Sequence, residues 1–285
     1  MMKTIETSDG ARLHFKDAGE GPALVLLHGW SQSSAMFEHQ IAHFSRTHRV
    51  IAPDFRGHGT SPDAAYGNRI YRYAMDVREL LSAAGIGRAS ILGWSMGASV
   101  LWAYIDLFGT RDLDRLIFVD EPASVMRQPD MDDEVAADAG ALFDAATMSA
   151  IAGQIIGAEG HATRAAFLDS MITKGIPDDL KAFLLKENLR CAPKEVATLF
   201  INHCAIDWSD IFRRVDRPTL IISGRVSHVS VRSQEWIHAH VTGSVLKVFE
   251  EGEGGAHFPF IESPHSFNAA LEQFLASEGS SRHAS

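Results

Sequence analysis

Residues 89–102 read Ala-Ser-Ile-Leu-Gly-Trp-Ser-Met-Gly-Ala-Ser-Val-Leu-Trp, and no other stretch constrains the fold as tightly. The short apolar run Ser90–Leu92 enters Gly93-Trp94-Ser95-Met96-Gly97, and small and apolar residues at helical spacing leave it. A G-x-S-x-G run between a strand and a helix marks a sharp turn that lifts a serine hydroxyl above a sheet edge. Glycines flank the serine because side chains there would collide with the backbone of so tight a turn. The spacing alone is a weak signal. The strand before it and the helix after it give it weight, and the rest of the chain has to supply partners.

Apolar runs and helix-like segments alternate through most of the sequence. Ala23–Leu27, Val50–Ala52, Ala89–Leu92, Leu116–Val119, Thr219–Ser223 and Val245–Phe249 read as buried strands. Near-continuous apolar strands separated by helices imply a parallel sheet covered on both faces. Arg12–Lys16 alternates like an antiparallel edge strand after the Ser8-Asp9-Gly10 turn. The rhythm breaks between Ala123 and Asp207, where four helical segments follow one another: Asp133–Ile156, His161–Lys174, Pro177–Arg190 and Pro193–Ile206. The expected organisation is an α/β core in two parts, residues 1–122 and 208–277, with a helical cap at 123–207 and a disordered tail at 278–285.

Composition removes several classes of function. A formal charge of −10 with no basic run argues against nucleic acid or an anionic membrane as partner. No apolar run reaches transmembrane length and no signal-peptide pattern opens the chain, so a cytoplasmic protein is expected, and a helical cap that narrows access points to small molecules as substrates. The two cysteines, Cys191 and Cys204, are too few for a disulfide framework and lack metal-ligand spacing. With no phosphate-cradling glycine loop either, neither a metal nor an organic cofactor is expected. Oligomeric state is not encoded in any pattern visible here.

A serine needs a base to act as a nucleophile at neutral pH, and the base needs an acid to orient it. The candidate base is His257, in a glycine-rich loop between the last strand-like run and the final helix, Pro264–Leu275. With His28-Gly29-Trp30 after one strand, Asp54-Phe-Arg-Gly-His-Gly-Thr-Ser61 after the next, the Gly93–Gly97 elbow and Gly-Ala-His257-Phe-Pro, the chain resembles capped α/β-hydrolase fold enzymes of the esterase and lactonase type, from Thr7 to Leu275. That resemblance implies Ser95 as nucleophile and the backbone amides of Trp30 and Met96 as an oxyanion hole. His28 and His58 are expected to brace loops.

The acid departs from the commonest pattern of those enzymes, which places an aspartate shortly after the strand Thr219–Ser223. Ser227 stands there, and no carboxylate occurs between Gly224 and Gln234. Asp120 and Glu121, at the end of the preceding strand, are the substitutes. Some similar proteins, certain haloalkane dehalogenases and fungal zearalenone lactonases among them, carry a glutamate where Glu121 stands. Neighbouring strand residues point to opposite faces, so at most one of the pair reaches His257. The expectation is Glu121, with Asp120 bonding loop amides.

Trp94 and Phe258 beside the chemistry, with Met126 and Trp208 at the two ends of the helical block, are candidate pocket residues. Core packing beneath the elbow competes for Trp94, and pinning of the cap junction competes for Trp208. The expected activity is cleavage of a small hydrophobic ester or lactone through an acyl-enzyme on Ser95. Three alternatives share the motifs: a carbon–carbon bond hydrolase of ring-cleavage products, a cofactor-free perhydrolase or haloperoxidase-like enzyme, and a ligand receptor without turnover.

Overall fold

The computed structural model describes residues 1–64 and 66–277, so the expected tail at 278–285 lies outside the described residues. Eight strands form one sheet: β1 Met2–Glu6, β2 Arg12–Ala18, β3 Ala23–Leu27, β4 Arg49–Pro53, β5 Ala89–Trp94, β6 Leu113–Val119, β7 Thr219–Gly224 and β8 Val245–Phe249. Their spatial order is β1-β2-β4-β3-β5-β6-β7-β8. The β1–β2 and β2–β4 pairs are antiparallel, and every later pair is parallel.

β3 shows why the central strands carry no polar alternation. Leu24 and Leu26 enter the core on one side of the sheet, Val25 and Leu27 the core on the other, and none of the four is exposed. Helices cover both faces: α1 Glu38–Phe44, α2 Ile70–Ala83, α3 Met96–Phe108, α9 Val231–His240, α10 Pro259–Glu262 and α11 Pro264–Ala276. Burying both strand faces is what a parallel sheet requires. The antiparallel flank differs from expectation in one respect. Arg12–Lys16 is not the edge, because Met2–Glu6 pairs outside it as an almost wholly exposed strand. Only Ile5 of its Met-Lys-Thr-Ile-Glu sequence packs, half-buried, against the core, so no hydrophobic period announced it.

Between β6 and β7 the chain inserts five helices: α4 Asp133–Ala139, α5 Ala145–Ile156, α6 Gly160–Asp169, α7 Asp178–Asn188 and α8 Pro193–Cys204. The single helical segment expected over Asp133–Ile156 is two helices. Gly140 ends α4 in the left-handed conformation, φ 81°, and Asp144 caps α5 by accepting from the Thr147 amide. A Cβ at Gly140 would stand 2.7 Å from side-chain carbons of Pro122 and Ser233, so the break seats the insert against the core. The intervening residues Leu142 and Phe143 turn toward the interior cavity. At the root of the insert, a bridge between Ser124 and Asp207 holds its entrance and exit together.

Candidate active site

Ser95 follows β5 directly and precedes α3. Its backbone sits at φ 52°, ψ −130°, a left-handed position that a serine adopts only under constraint. The constraint is close packing on both sides of the turn. A Cβ on Gly93 would lie 2.4 Å from the Gly97 carbonyl oxygen, and one on Gly97 would lie 2.2 Å from the carbonyl oxygen of Leu27 at the end of β3. Only glycine fits either position. Ser95 Oγ is thereby presented to a cavity lined also by His257, which reaches it from the loop after β8.

The acid against His257 is Asp120, not Glu121. His257 Nδ1 lies 2.7 Å from Asp120 Oδ2, and both side chains are buried. β6 ends at Val119, and Asp120 leaves it with φ 54°, so extended alternation no longer governs where these two side chains point. The Gly224 amide donates to Asp120 Oδ1 at 3.0 Å, and the Ser227 hydroxyl donates to Oδ2. Ser227, in the slot where an acid was expected, therefore supports a carboxylate that arrives from the neighbouring strand. Glu121 turns the other way. Its Oε1 accepts from Ser99 Oγ at 2.7 Å and contacts His203 Nε2 of α8 at 2.6 Å, so it ties α3 to the insert.

Above the nucleophile runs the loop Gly29–Ser34. The amides of Trp30 and Met96 donate to no protein acceptor among the described residues, and Met96 opens α3 with the positive end of the helix dipole. Two buried histidines brace the loop. His28 Nδ1 donates to the Gly29 carbonyl at 2.9 Å while its Nε2 accepts from the Phe55 amide at 3.1 Å. His58 Nδ1 donates to the Arg56 carbonyl at 3.0 Å and Nε2 accepts from the Ser31 amide at 3.3 Å. Such use requires neutral rings. Burial lowers both, His58 to about 3, with the neighbouring His28 adding to the effect.

The cavity is lined mostly by apolar and aromatic side chains around a few polar groups, the character of a small-molecule site. Trp30 meets Phe167 edge-on and Phe200 at a tilt, making an aromatic wall. Trp94 fills both roles weighed for it: it faces the cavity, and its indole N–H donates to the His257 carbonyl at 2.9 Å. Phe258 stands edge-on to the His257 ring. Met126 and Trp208 are not in the cavity wall. Val125 takes the place expected for Met126, because the Met126 amide is bound to the Cys204 carbonyl at the root of the insert. Trp208 is buried against Trp102 and Tyr71, with its amide on the Ala123 carbonyl, and pins the junction.

Sequence reasoning missed the histidines His203 and His228, which also line the cavity. His228 packs edge-on against His257 with ring centroids 4.5 Å apart. Burial pushes it well below the usual histidine range, and the proximity of His257 adds to this. No local pattern marked either residue: His203 sits on an otherwise apolar helix face and His228 in a polar turn. Among the described residues, no group of three or more His, Cys, Asp or Glu side chains is placed to hold a metal, and no helix is long and apolar enough to cross a membrane.

A mostly parallel sheet with a serine at the strand–helix elbow after β5, and a histidine–carboxylate pair above the same sheet edge, defines a hydrolase class. The family model for the alpha/beta hydrolase fold matches residues 22–264. The chain belongs to this family. It is 30% identical over 95% of its length to an uncharacterised protein of Mycobacterium tuberculosis, covering 80% of that protein. It is 27% identical over 92% of its length, and 99% of the relative's, to a pimeloyl-[acyl-carrier protein] methyl ester esterase of Nitrosomonas europaea. An esterase structure from Exiguobacterium antarcticum superposes with a TM-score of 0.88 at 22% identity, covering 97% of this chain and 100% of that one.

Proposed function

We propose that the protein is a serine hydrolase that cleaves a small, hydrophobic ester or lactone through an acyl-enzyme on Ser95. The observation that carries this reading is the buried pairing of His257 Nδ1 with Asp120 Oδ2 at 2.7 Å, on a histidine that shares its cavity with Ser95. With Nδ1 committed to the carboxylate, Nε2 is the ring nitrogen free to take a proton. Ser95 Oγ attacks the carbonyl carbon while His257 Nε2 accepts the hydroxyl proton. Asp120 fixes the tautomer and stabilises the imidazolium. The negative charge that forms on the carbonyl oxygen is met by the Met96 and Trp30 amides, donors that need no reorganisation. His257 then protonates the departing alcohol and activates the water that frees the acyl group.

The aromatic wall of Trp30, Phe167 and Phe200 supports a substrate with an apolar acyl or ring portion, and the five inserted helices act as the cap over it. The esterase activity named for the Nitrosomonas relative agrees with the reaction class. The test is steady-state hydrolysis of p-nitrophenyl esters and aromatic lactones with Ser95→Ala as the blank. Multiple turnover that disappears in the variant is expected. Wild-type rates no higher than the blank across the whole panel would overturn the ester and lactone reading.

A further inference from the structure

Four consecutive residues of the loop above Ser95 each place a side-chain hydrogen bond on the helical insert. Trp30 Nε1 donates to the Val196 carbonyl at 2.9 Å, Ser31 Oγ to the Asn188 carbonyl at 2.8 Å, Gln32 Nε2 to the Leu184 carbonyl at 3.5 Å, and Ser33 Oγ to Glu187 Oε2 at 2.6 Å. The insert returns one bond of its own: Arg164 Nη2, from α6, donates to Ser31 Oγ at 2.7 Å. Ser31 is the strained member of the loop, a non-glycine residue at φ 57°. Such a conformation persists only where its surroundings over-determine it. Here the Ser31 amide is engaged by His58 and its hydroxyl by Asn188 and Arg164.

Arg164 is itself unusual. It is 3% exposed and has no carboxylate within ion-pair distance among the described residues. Its remaining hydrogen bonds go to Asn188 Oδ1 and the Cys191 carbonyl, both at 2.9 Å, at the C-terminal end of α7. The guanidinium is received by a side-chain amide and by a carbonyl three residues past the end of α7. A buried cation is thus held by the last residue of α7 and the turn after it, and directed at a single serine hydroxyl, one residue along the chain from the Trp30 amide.

We propose that Arg164 is a positioning residue for the oxyanion hole: from the insert it fixes Ser31, and through Ser31 the direction of the Trp30 amide. The inference rests on the serine-hydrolase reading above. It makes the insert part of the catalytic apparatus, because removing its grip would free the loop to relax out of the left-handed conformation.

The test compares Arg164→Gln and Ser31→Ala with wild type on p-nitrophenyl butyrate, and measures inhibition by 2-phenylethaneboronic acid. The boronic acid adds Ser95 Oγ to boron and mimics the tetrahedral intermediate. Arg164→Gln is expected to lower kcat about a hundredfold, the order of one oxyanion donor, with KM within roughly threefold. The boronate Ki should rise by the factor that kcat/KM falls, since both report transition-state binding. Ser31→Ala should move both in the same direction, by about tenfold. A brace of purely structural importance would lower the melting temperature but leave kcat and the boronate Ki of the folded variants at wild-type values, and that result overturns the proposal. If Arg164→Gln does not fold, Ser31→Ala decides by the same criterion. Wild-type turnover that survives Ser95→Ala would instead overturn the hydrolase reading, and this one with it.

Discussion

Two adjacent carboxylates stand at the end of β6, and the backbone of one of them separates their tasks. Asp120, at φ 54°, swings its carboxylate toward His257, Gly224 and Ser227, while Glu121 turns to Ser99 and His203. Asp120→Asn should retain the fold and lower kcat by about four orders of magnitude, because an amide facing Nδ1 favours the wrong tautomer. Glu121→Gln should cost far less, so the ratio of the two rates is the informative measurement. Equal losses would remove the distinction drawn between them. Ser227→Ala deprives the Asp120 carboxylate of one donor, and a loss of roughly tenfold in kcat/KM is expected, the scale of one buried hydrogen bond. The pair as candidates was legible in the sequence. Which of them faces His257 was not, because a left-handed residue just past the end of β6 breaks the period-two argument.

At the scale of elements, the elbow was legible from a strand, two flanking glycines and a helix, and the structure shows that Gly93 and Gly97 leave space that no side chain can share. Gly97→Ala would set a methyl group 2.2 Å from the Leu27 carbonyl oxygen. Urea unfolding should show a loss of about 1–3 kcal/mol, the range for overpacking, and a change near zero would contradict the packing described. Gly140→Ala imposes a side chain on a left-handed backbone, which costs about 1–2 kcal/mol, and crowds Pro122 and Ser233 as well. The same urea measurement checks it. Helical periodicity located the insert but ran through Gly140, because a glycine inside an apolar pattern reads equally as a tolerated helix residue or as a helix end. The edge strand β1 escaped notice for the opposite reason: it sets only Ile5 against the core.

Across the whole molecule, the buried histidines make stability depend on pH. His28 and His58 are held neutral by burial, His58 down to about 3. Below about pH 6.5 an unfolded chain protonates these rings while the folded one does not, so the unfolded state binds more protons and stability falls as pH falls. Each such ring contributes up to about 1.4 kcal/mol per pH unit in that interval. The salt-bridged Asp17 and Asp9 add their own loss only in stronger acid. Arg49 holds Asp17 at about 2, and Arg56 holds Asp9 at about 2 against the opposing effect of burial. Urea midpoints measured from pH 7 to 4.5 should therefore decline, and His58→Asn should flatten the decline. An identical slope in that variant would contradict a neutral His58 in the folded protein.

The sequence by itself determined the α/β-hydrolase sheet, the elbow with Ser95, the histidine loop and the position of the helical insert. These depend on short-range sterics and on hydrophobic period, which neighbouring residues express without help. Tertiary structure alone decided that Asp120 faces His257, that Ser227 supports it, and that His203 and His228 reach the cavity while Met126 and Trp208 do not. It alone brought Arg164 onto Ser31, across 133 positions of chain. Such contacts depend on where strand ends and helix faces meet after the sheet has closed, and on single backbone angles at Ser31, Ser95 and Asp120 that packing imposes against local preference. A sequence records the residues available for those meetings; the packed core selects among them.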